Sequence, residues 1–258
     1  MNRIKYYTIS TTDRKDVFDL NKVLEKIVYS IVQAIEADLP DKITQMDLET
    51  DNYVRVIKGD LINTRLKEML LEPNYHIHPF SKGGWKGRMI IDKNNSNIFS
   101  ITSMDNLSRI PKVKDRRIPH YMQSCLNIIN KMVEAPKQIS LIDLGSEFLE
   151  EDYLDDYNKL FNNIDIDLDG FTYYILTYEH KYNKIINVQL HLLNKDFQEV
   201  DIKSLNEFIR PDFASLTEGT ILNENITEEP DKETIKEFLS PKKGIKPKPR
   251  VIKEEKNA

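Results

Sequence analysis

The sequence predicts an α+β fold in which an antiparallel sheet, made from two or three hairpins, packs against several helices. Near the start, apolar residues recur three and four positions apart over a long stretch, which is typical of one buried helix face. Further along, two pairs of segments rich in aromatic and β-branched residues are separated by turn residues, which is typical of hairpins. The last stretch, residues 217–258, is mostly polar with four prolines. We expect a disordered C-terminal tail there, because too little apolar surface is present to offset chain entropy.

The N-terminal part, residues 1–74, is predicted to hold one strand and a pair of helices. Residues 4–10 are the strand candidate, and a polar pair after them suits a helix N-cap. The helix face that follows is defined by Val17, Leu20, Val23, Leu24, Ile27, Val28, Ile31, Val32 and Ile35. We expect Pro40 to end this helix, and a second helix to run over about residues 60–71 before Pro73.

Residues 75–216 are predicted to form an α+β domain continuous with the N-terminal part. The cluster Asn-Asn-Ser at 94–96 separates two β-rich runs, and asparagine tolerates the positive φ of a hairpin turn. A loop with Pro111 and Pro119 then leads into a third helix over residues 120–134. The inner face of that helix carries Met122, Cys125, Leu126, Ile129 and either Met132 or Val133.

An acidic segment follows. Residues 143–169 hold ten acidic residues against one lysine, a local charge of −9, and are predicted to form a short helix over about residues 146–161. The turn after them opens a second hairpin over residues 171–193. A final short helix is predicted over residues 202–209, ending at Pro211.

The tail, residues 217–258, contains one candidate for local order. Ile235, Phe238 and Leu239 lie at positions i, i+3 and i+4, the minimal pattern of a short helix, residues 232–240, that folds into a partner's groove. The alternative is a disordered end that only keeps the protein in solution.

The overall composition excludes several classes of protein. The chain has 258 residues, a formal net charge of −5 and a pI near 5.7, which argues against a protein that coats nucleic acid by bulk electrostatics. The single cysteine, Cys125, excludes an intramolecular disulfide and a cysteine-based zinc cluster. The apolar runs are too short to span a membrane, and the first residues lack the apolar core of a secretory signal. We expect a cytoplasmic protein with no membrane association and no cofactor.

The net charge hides local excesses of both signs. Residues 104–131 carry six basic residues against two acidic ones, and residues 241–258 carry seven against two. Opposite charges of this size attract, either within one chain or between subunits of a homo-oligomer, so both pairings with the acidic segment 143–169 stay open.

Two basic stretches with aromatic residues are the best candidates for a binding site. Residues 81–88 form a glycine-rich cationic loop whose backbone amides can cradle an anion, although it lacks the sequence of a Walker A loop. Residues 112–121 lead into a helix N-terminus, and an aromatic ring there can stack on a base. The predicted binding residues are Lys82, Trp85, Lys86, Arg88, Arg116, Arg117, His120 and Tyr121. The alternatives are a mobile hairpin tip and a solvated connector that pairs with the acidic segment.

Catalysis is the competing class of function, although the sequence holds no strong catalytic motif. Glu179 and Lys181 form a Glu-x-Lys triplet downstream of Asp169, the arrangement of a metal-dependent nuclease. His120 is a candidate general acid or base for a reaction without metal. Cys125 falls on the apolar face of a predicted helix, which indicates a packed core thiol.

Metal sites are weakly indicated. Residues 165–170 match the first half of a calcium loop, but position 12 of that loop would be Leu176, inside a strand pattern. His76 and His78 lie two residues apart, so both face one side of a strand, and Asp92 or His120 would have to complete a zinc site. A solvated acidic turn and two histidines bordering a loop are the alternatives, and no metal is predicted.

The middle of the chain resembles an uncharacterised domain family of Gram-positive bacteria and their phages. The resemblance covers about residues 70–210 and rests on the run from Trp85 to Asp92, on His120 and Tyr121 opening a helix that contains Asn127, and on the hairpin 171–193. It implies a setting of accessory, phage- or defence-linked genes and no particular reaction. We therefore expect a binding or regulatory protein that engages an acidic or phosphate-bearing partner, protein or nucleic acid, with the metal-dependent nuclease as the alternative.

Overall fold

The structure is a computed structural model, and it describes residues 14–50, 52–113, 116–134 and 148–209. The predicted strand 4–10, the tail helix 232–240 and the docking residues Ile235, Phe238 and Leu239 lie outside these residues. Within them, no helix has the length and apolar character needed to cross a membrane.

Three helices form the N-terminal layer: α1 (Arg14–Val32), α2 (Leu39–Met46) and α3 (Val54–Met69). The prediction that Pro40 ends the first helix is wrong. A π-helical segment, Gln33–Asp38, joins α1 to α2, and Pro40 sits in the first turn of α2. A proline is tolerated in a first turn, and the wider π-helical turn before it adjusts the backbone spacing.

Six strands form one sheet in the order β1-β2-β3-β4-β5-β6. Their bounds are β1 (Tyr75–Lys82), β2 (Trp85–Asp92), β3 (Asn97–Ser103), β4 (Thr172–Lys181), β5 (Lys184–Leu193) and β6 (Glu199–Ser204). Every neighbouring pair is antiparallel except β3 and β4, which are parallel. The sheet is thus two three-stranded meanders set side by side, which confirms the α+β class and its hairpins.

The long connection between β3 and β4 carries three more helices: α4 (Met104–Arg109), α5 (Tyr121–Ile128) and α6 (Glu150–Leu160). A 3₁₀ turn, Ile110–Lys112, extends α4, and another, Asn206–Phe208, follows β6. A crossover of this kind is what a parallel strand pair requires.

The sheet separates two hydrophobic cores. One lies against α1 and α3 and includes Leu24, Ile27, Ile31, Ile90, Phe99 and Leu190. The other lies against α4, α5 and α6 and includes Met89, Ile91, Ile98, Leu126, Tyr173 and Ile175. Because successive strand residues face opposite sides, odd-numbered residues of β2 face the second core and even-numbered residues face the first.

The glycine-rich stretch 81–88 is a tight hairpin, which agrees with the alternative of a hairpin tip. Only Gly83 and Gly84, with φ of 57° and 83°, lie between β1 and β2, and Lys82 pairs directly with Trp85. Both turn residues need a positive φ, which glycine adopts without steric cost. Pro79 lies inside β1, which is tolerated because β1 is an edge strand.

Two helix predictions are wrong in part. The predicted helix 202–209 is instead strand β6 followed by a 3₁₀ turn, since hydrogen bonding to β5 outweighs the local helical pattern. The third helix ends at Ile128 instead of residue 134. Of the two alternatives for its inner face, Met132 is 84% exposed and Val133 is half-buried. Asn130, fully buried, binds strand backbone at this point, and its contacts take the chain out of the helix.

Candidate functional site

A pocket of about 340 Å³ opens where the β1–β2 hairpin meets the segment that leads into α5. We call it the Trp85 pocket. Its lining consists of Lys82, Trp85, Arg116, Arg117, Ile118, Pro119, His120 and Tyr121. Six of the eight predicted binding residues therefore meet around one cavity, although they come from two separate stretches of the sequence.

The wall of the Trp85 pocket is a cluster of aromatic rings. The Trp85 indole is stacked on Tyr121, with 5.7 Å between the ring centroids and 25° between the planes, and Phe80 meets Trp85 edge-on at 5.5 Å. Gly87 makes room for this cluster, because a Cβ atom there would lie 2.6 Å from the Phe80 ring and 2.7 Å from the Trp85 ring. Tyr121 is buried, whereas 52% of Trp85 is exposed. The indole is thus held on one side and open on the other.

Two of the three cations of the pocket are held by partners within the chain. The Lys82 ammonium lies 2.6 Å from a carboxylate oxygen of Asp156, and both side chains are 14% exposed. Arg116 donates to the carbonyl oxygen of Ile110 at 2.8 Å and to the side-chain oxygen of Gln123 at 3.3 Å. Arg117 makes no hydrogen bond or ion pair with any residue that the structure describes. Among the described residues, its guanidinium group is therefore the pocket's cation without a partner.

His120 is the N-cap of α5. Its Nδ1 accepts a hydrogen bond from the backbone N–H of Met122 at 3.3 Å, and its own backbone N–H donates to Gln123 at 2.7 Å. Burial lowers the pKa of His120 to about 4, and the positive charges of Arg116 and Lys82 act in the same direction. The ring is neutral at pH 7, and because Nδ1 accepts, its proton is on Nε2. A general acid or base working near neutral pH needs a higher pKa, so this geometry does not favour the catalytic prediction for His120.

Lys86 and Arg88 are not in the Trp85 pocket. They are even-numbered residues of β2, so their side chains alternate with that of Trp85 and point away from its pocket. Both line a separate groove of about 460 Å³, together with Lys159 and Asn162 at the end of α6. The sequence prediction placed them with Trp85 because it treated residues 81–88 as a loop, in which strand alternation does not apply.

The acidic segment borders the pocket on one side. A groove of about 290 Å³ shares Lys82 and Arg117 with the Trp85 pocket and is lined by Asp152, Asp155 and Asp156 of α6. The basic stretch 104–131 also contacts this segment through Lys131, which lies 2.5 Å from Glu150. Basic and acidic segments thus pair in part within one chain, as one of the open alternatives expected.

The structure does not bring the nuclease residues together. Asp169 precedes β4, whereas Glu179 lies near the far end of that strand and accepts a hydrogen bond from Asn187 at 3.1 Å. Seven residues separate Thr172 from Glu179, which is about 23 Å at 3.3 Å per strand residue. Lys181, the last residue of β4, stands over the Tyr182 ring at 5.5 Å. Two carboxylates at this separation cannot bind one metal ion.

The residues considered as metal ligands have other contacts. His78 is buried, stacks on Phe161 and has its Nε2 2.7 Å from the carbonyl oxygen of Leu160. Asp92 accepts hydrogen bonds from the turn residues Asn94 and Asn95. Within the described ranges, no group of three or more His, Cys, Asp and Glu side chains is arranged to hold a metal ion. Cys125 is fully buried, and burial raises the pKa of its thiol.

Several residues that shape the site were missed from the sequence. Gln123 follows His120 by three positions, and this capping-box spacing is a local signal that was available. Asp156 and Ser124, which hydrogen bond to each other at 2.6 Å, gave no such signal because they are 32 residues apart. Gly87 was noted only as part of a loop, although its lack of a side chain is what admits the aromatic cluster.

Comparison with known proteins identifies a family. A family of unknown function (DUF5986) matches residues 20–257, which include all six strands and the Trp85 pocket. This agrees with the resemblance to an uncharacterised domain family. No curated protein and no solved structure matches the chain.

Proposed function

The chain belongs to DUF5986, a family of unknown function, and we propose that it is a binding or regulatory protein that engages an acidic or phosphate-bearing partner through the Trp85 pocket. The cytoplasmic location and the phage- or defence-linked setting are part of this proposal and rest on the sequence alone. A protein or a nucleic acid can present such a group.

The observation that carries the proposal is the lining of the pocket. Three cations, a neutral histidine and two aromatic rings surround one cavity, and the described residues that line it include no carboxylate. An anion placed there meets attraction from Arg117, and the carboxylates of Asp152, Asp155 and Asp156 lie in the adjoining groove instead of in this lining. Guanidinium groups bind phosphate and carboxylate through two parallel hydrogen bonds, so Arg117 is suited to either partner.

The way in which the polar groups are held supports binding over catalysis. Lys82 faces Asp156, Arg116 is fixed by Ile110 and Gln123, and the Nδ1 of His120 caps a helix. None of these groups is arranged as a nucleophile beside a base, which is the signature that covalent catalysis requires. The nuclease alternative lacks a supporting observation because its carboxylates lie apart.

The tryptophan itself provides the test. Trp85 is the single tryptophan of the chain, so its fluorescence reports directly on the pocket. The intact protein is titrated with inorganic phosphate, polyglutamate and a single-stranded oligonucleotide at low salt. We expect at least one of them to change the emission with a saturating curve.

A matched pair of variants completes the test. Arg117→Gln removes a charge from the pocket, and we expect it to weaken binding. Arg88→Gln removes the same charge from a separate groove and is expected to have no effect. If no anion changes the emission, or if the two variants behave alike, the proposal is wrong.

The tail is proposed as a second contact, through Ile235, Phe238 and Leu239. Affinity capture with the intact protein and with a version ending at residue 216 compares what each retains. If the two retain the same proteins and nucleic acids, the tail has no part in the function.

A further inference from the structure

We infer that the group bound in the Trp85 pocket is a nucleotide, with its base stacked on the open face of the Trp85 indole and its phosphate bound by Arg117. This inference rests on the proposed function and narrows it to one ligand chemistry. A free nucleotide and an unpaired nucleotide of a single strand share that chemistry.

The aromatic geometry is the first reason. Tyr121 is stacked against one face of the indole at 5.7 Å and is itself buried, so Trp85 is fixed from behind. Trp85 lines the pocket and 52% of its surface is exposed, so part of its apolar ring remains available to a ligand. A phosphate or carboxylate group gains nothing from such a ring, whereas any nucleobase stacks on it.

The size of the pocket is the second reason. Its volume of about 340 Å³ is that of a small-molecule site and exceeds what a lone carboxylate or phosphate group fills. The cations and the exposed ring lie around the same cavity, so a ligand that fills it contacts both. A ligand that carries both an aromatic ring and an anionic group fills the volume and contacts both the indole and the cations.

The number of available charges separates a nucleotide from an acidic peptide. Lys82 is ion-paired with Asp156, and Arg116 is held by two neutral oxygens, which leaves Arg117 as the pocket's one cation without a partner among the described residues. One guanidinium matches one phosphate. A run of carboxylates needs several cations, and beyond Arg117 it would meet Asp152 and Asp155 in the adjoining groove. Like charges at that distance repel, so the neighbouring wall disfavours an acidic peptide.

His120 adds a hydrogen-bond donor. Its Nδ1 accepts from the backbone of Met122, so the neutral ring has an Nε2–H group left for a ligand. His120 lines the pocket beside Tyr121, with 4.5 Å between the two ring centroids. Bases and phosphates both carry hydrogen-bond acceptors for such a donor. Because the donor is neutral, it does not change the number of positive charges in the pocket.

The test compares ligands that separate the two parts of a nucleotide. Binding of adenosine monophosphate, adenosine, inorganic phosphate and polyglutamate to the intact protein is measured by calorimetry and by Trp85 emission. We expect adenosine monophosphate to bind more tightly than adenosine or phosphate, and to quench the emission. A single strand of thymidines and the matching duplex identify the source, because only unpaired bases can stack on the indole. Competition between the single strand and adenosine monophosphate is expected, since both use one pocket.

Variants measure each contact. Trp85→Ala is expected to weaken nucleotide binding by about 5- to 150-fold, the range found for the loss of one base stack. Trp85→Phe keeps a smaller ring, so its affinity for the nucleotide should lie between those of Trp85→Ala and the wild type. Arg117→Gln is expected to weaken binding by about tenfold or more, as for one hydrogen bond to a charged group. Arg88→Gln is the charge-matched control and should bind as the wild type does. Circular dichroism spectra establish that each variant is folded.

Salt dependence tests the single phosphate contact. For a single strand, the logarithm of the binding constant is expected to fall with the logarithm of salt concentration at a slope of about −0.7, the value for one phosphate. A slope several times steeper would mean several phosphate contacts and would overturn the one-nucleotide geometry.

The results distinguish this inference from the proposed function. If polyglutamate binds in an Arg117-dependent way and adenosine monophosphate binds no better than phosphate, the inference fails and the proposed function stands. The inference also fails if Trp85→Ala leaves nucleotide binding unchanged. If none of these ligands binds, both are wrong.

Discussion

Replacing Asn130 with alanine tests how the crossover is attached to the sheet. The Nδ2 group of Asn130 donates to the carbonyl oxygens of Tyr173 and Leu193 at 2.8 and 2.9 Å, and its Oδ1 accepts from the backbone N–H of Tyr173 at 2.9 Å. The side chain is fully buried, and it fixes the end of α5 against β4 and β5. Its amide thus completes the hydrogen bonding of two strands at the point where they meet the crossover.

The expected loss of stability follows from these three contacts. Alanine leaves three buried backbone groups without partners, at about 1 to 3 kcal/mol each. Water that enters the space left behind replaces some of the lost hydrogen bonds, so we expect the free energy of unfolding to fall by about 3 to 5 kcal/mol. This is a large share of the roughly 5 to 15 kcal/mol that stabilises an ordinary domain.

The measurement is urea unfolding followed by circular dichroism, with Asn127→Ala as the control. Asn127 is half-buried, one turn earlier in the chain, and makes a single hydrogen bond to the carbonyl oxygen of Gln123 at 2.9 Å. We expect its replacement to lower the free energy of unfolding by about 1 kcal/mol. If the two variants are equally stable, Asn130 does not attach the crossover to the sheet and the reasoning is refuted.

Two further outcomes are expected. Gly87→Ala places a Cβ atom 2.6 Å from the Phe80 ring, so it should shift Trp85 emission, lower the free energy of unfolding by about 1 to 3 kcal/mol and reduce ligand binding. Its control is Gly59→Ala on α3, where a Cβ atom has nothing within 4 Å. This control should raise the free energy of unfolding by about 0.5 to 1 kcal/mol and leave binding unchanged. His120 has its pKa lowered from 6.5 to about 4 by burial, so its contribution to stability is present above about pH 6.5 and is lost as the pH falls through 4, by about 2 to 3 kcal/mol at pH ~4.5. His120→Asn keeps a capping side chain that does not titrate. Urea unfolding at pH ~6.5 and ~4.5 should therefore show a smaller loss of stability on acidification than in the wild type. An equal loss would contradict the lowered pKa of His120.

Local patterns were enough to predict most of the fold. The spacing of Leu24, Ile27 and Ile31 identified α1, and the residues at 94–96 identified a hairpin turn, because each pattern is complete within a few residues. The parallel pairing of β3 with β4 was not predictable in this way. Asn97 pairs with Thr172, and only the packing of the whole crossover brings these distant segments together.

The candidate site was predictable in its residue types and not in its geometry. Rings and cations in two stretches indicated a binding surface, and six of the named residues share a pocket. Whether Lys86 and Arg88 joined them depended on reading residues 85–92 as a strand, which three glycines in the surrounding stretch concealed. Asp156 pairs with Lys82 across 74 residues of sequence, and Asn130 binds Tyr173 across 43. No local pattern marks contacts between such distant residues.

The two glycines of the β1–β2 turn decide which side chains a ligand meets. Gly83 and Gly84 close a turn of two residues, and that length sets Trp85 opposite Lys82. If the turn grew or shrank so that β2 slipped by one position, the side chains of β2 would exchange faces, and the ring of Trp85 would be replaced in the pocket by a neighbouring lysine. The aromatic platform would become a purely cationic one on an unchanged scaffold. The length of the turn therefore decides whether an aromatic ring or a lysine faces the Trp85 pocket, although neither glycine lines the pocket itself.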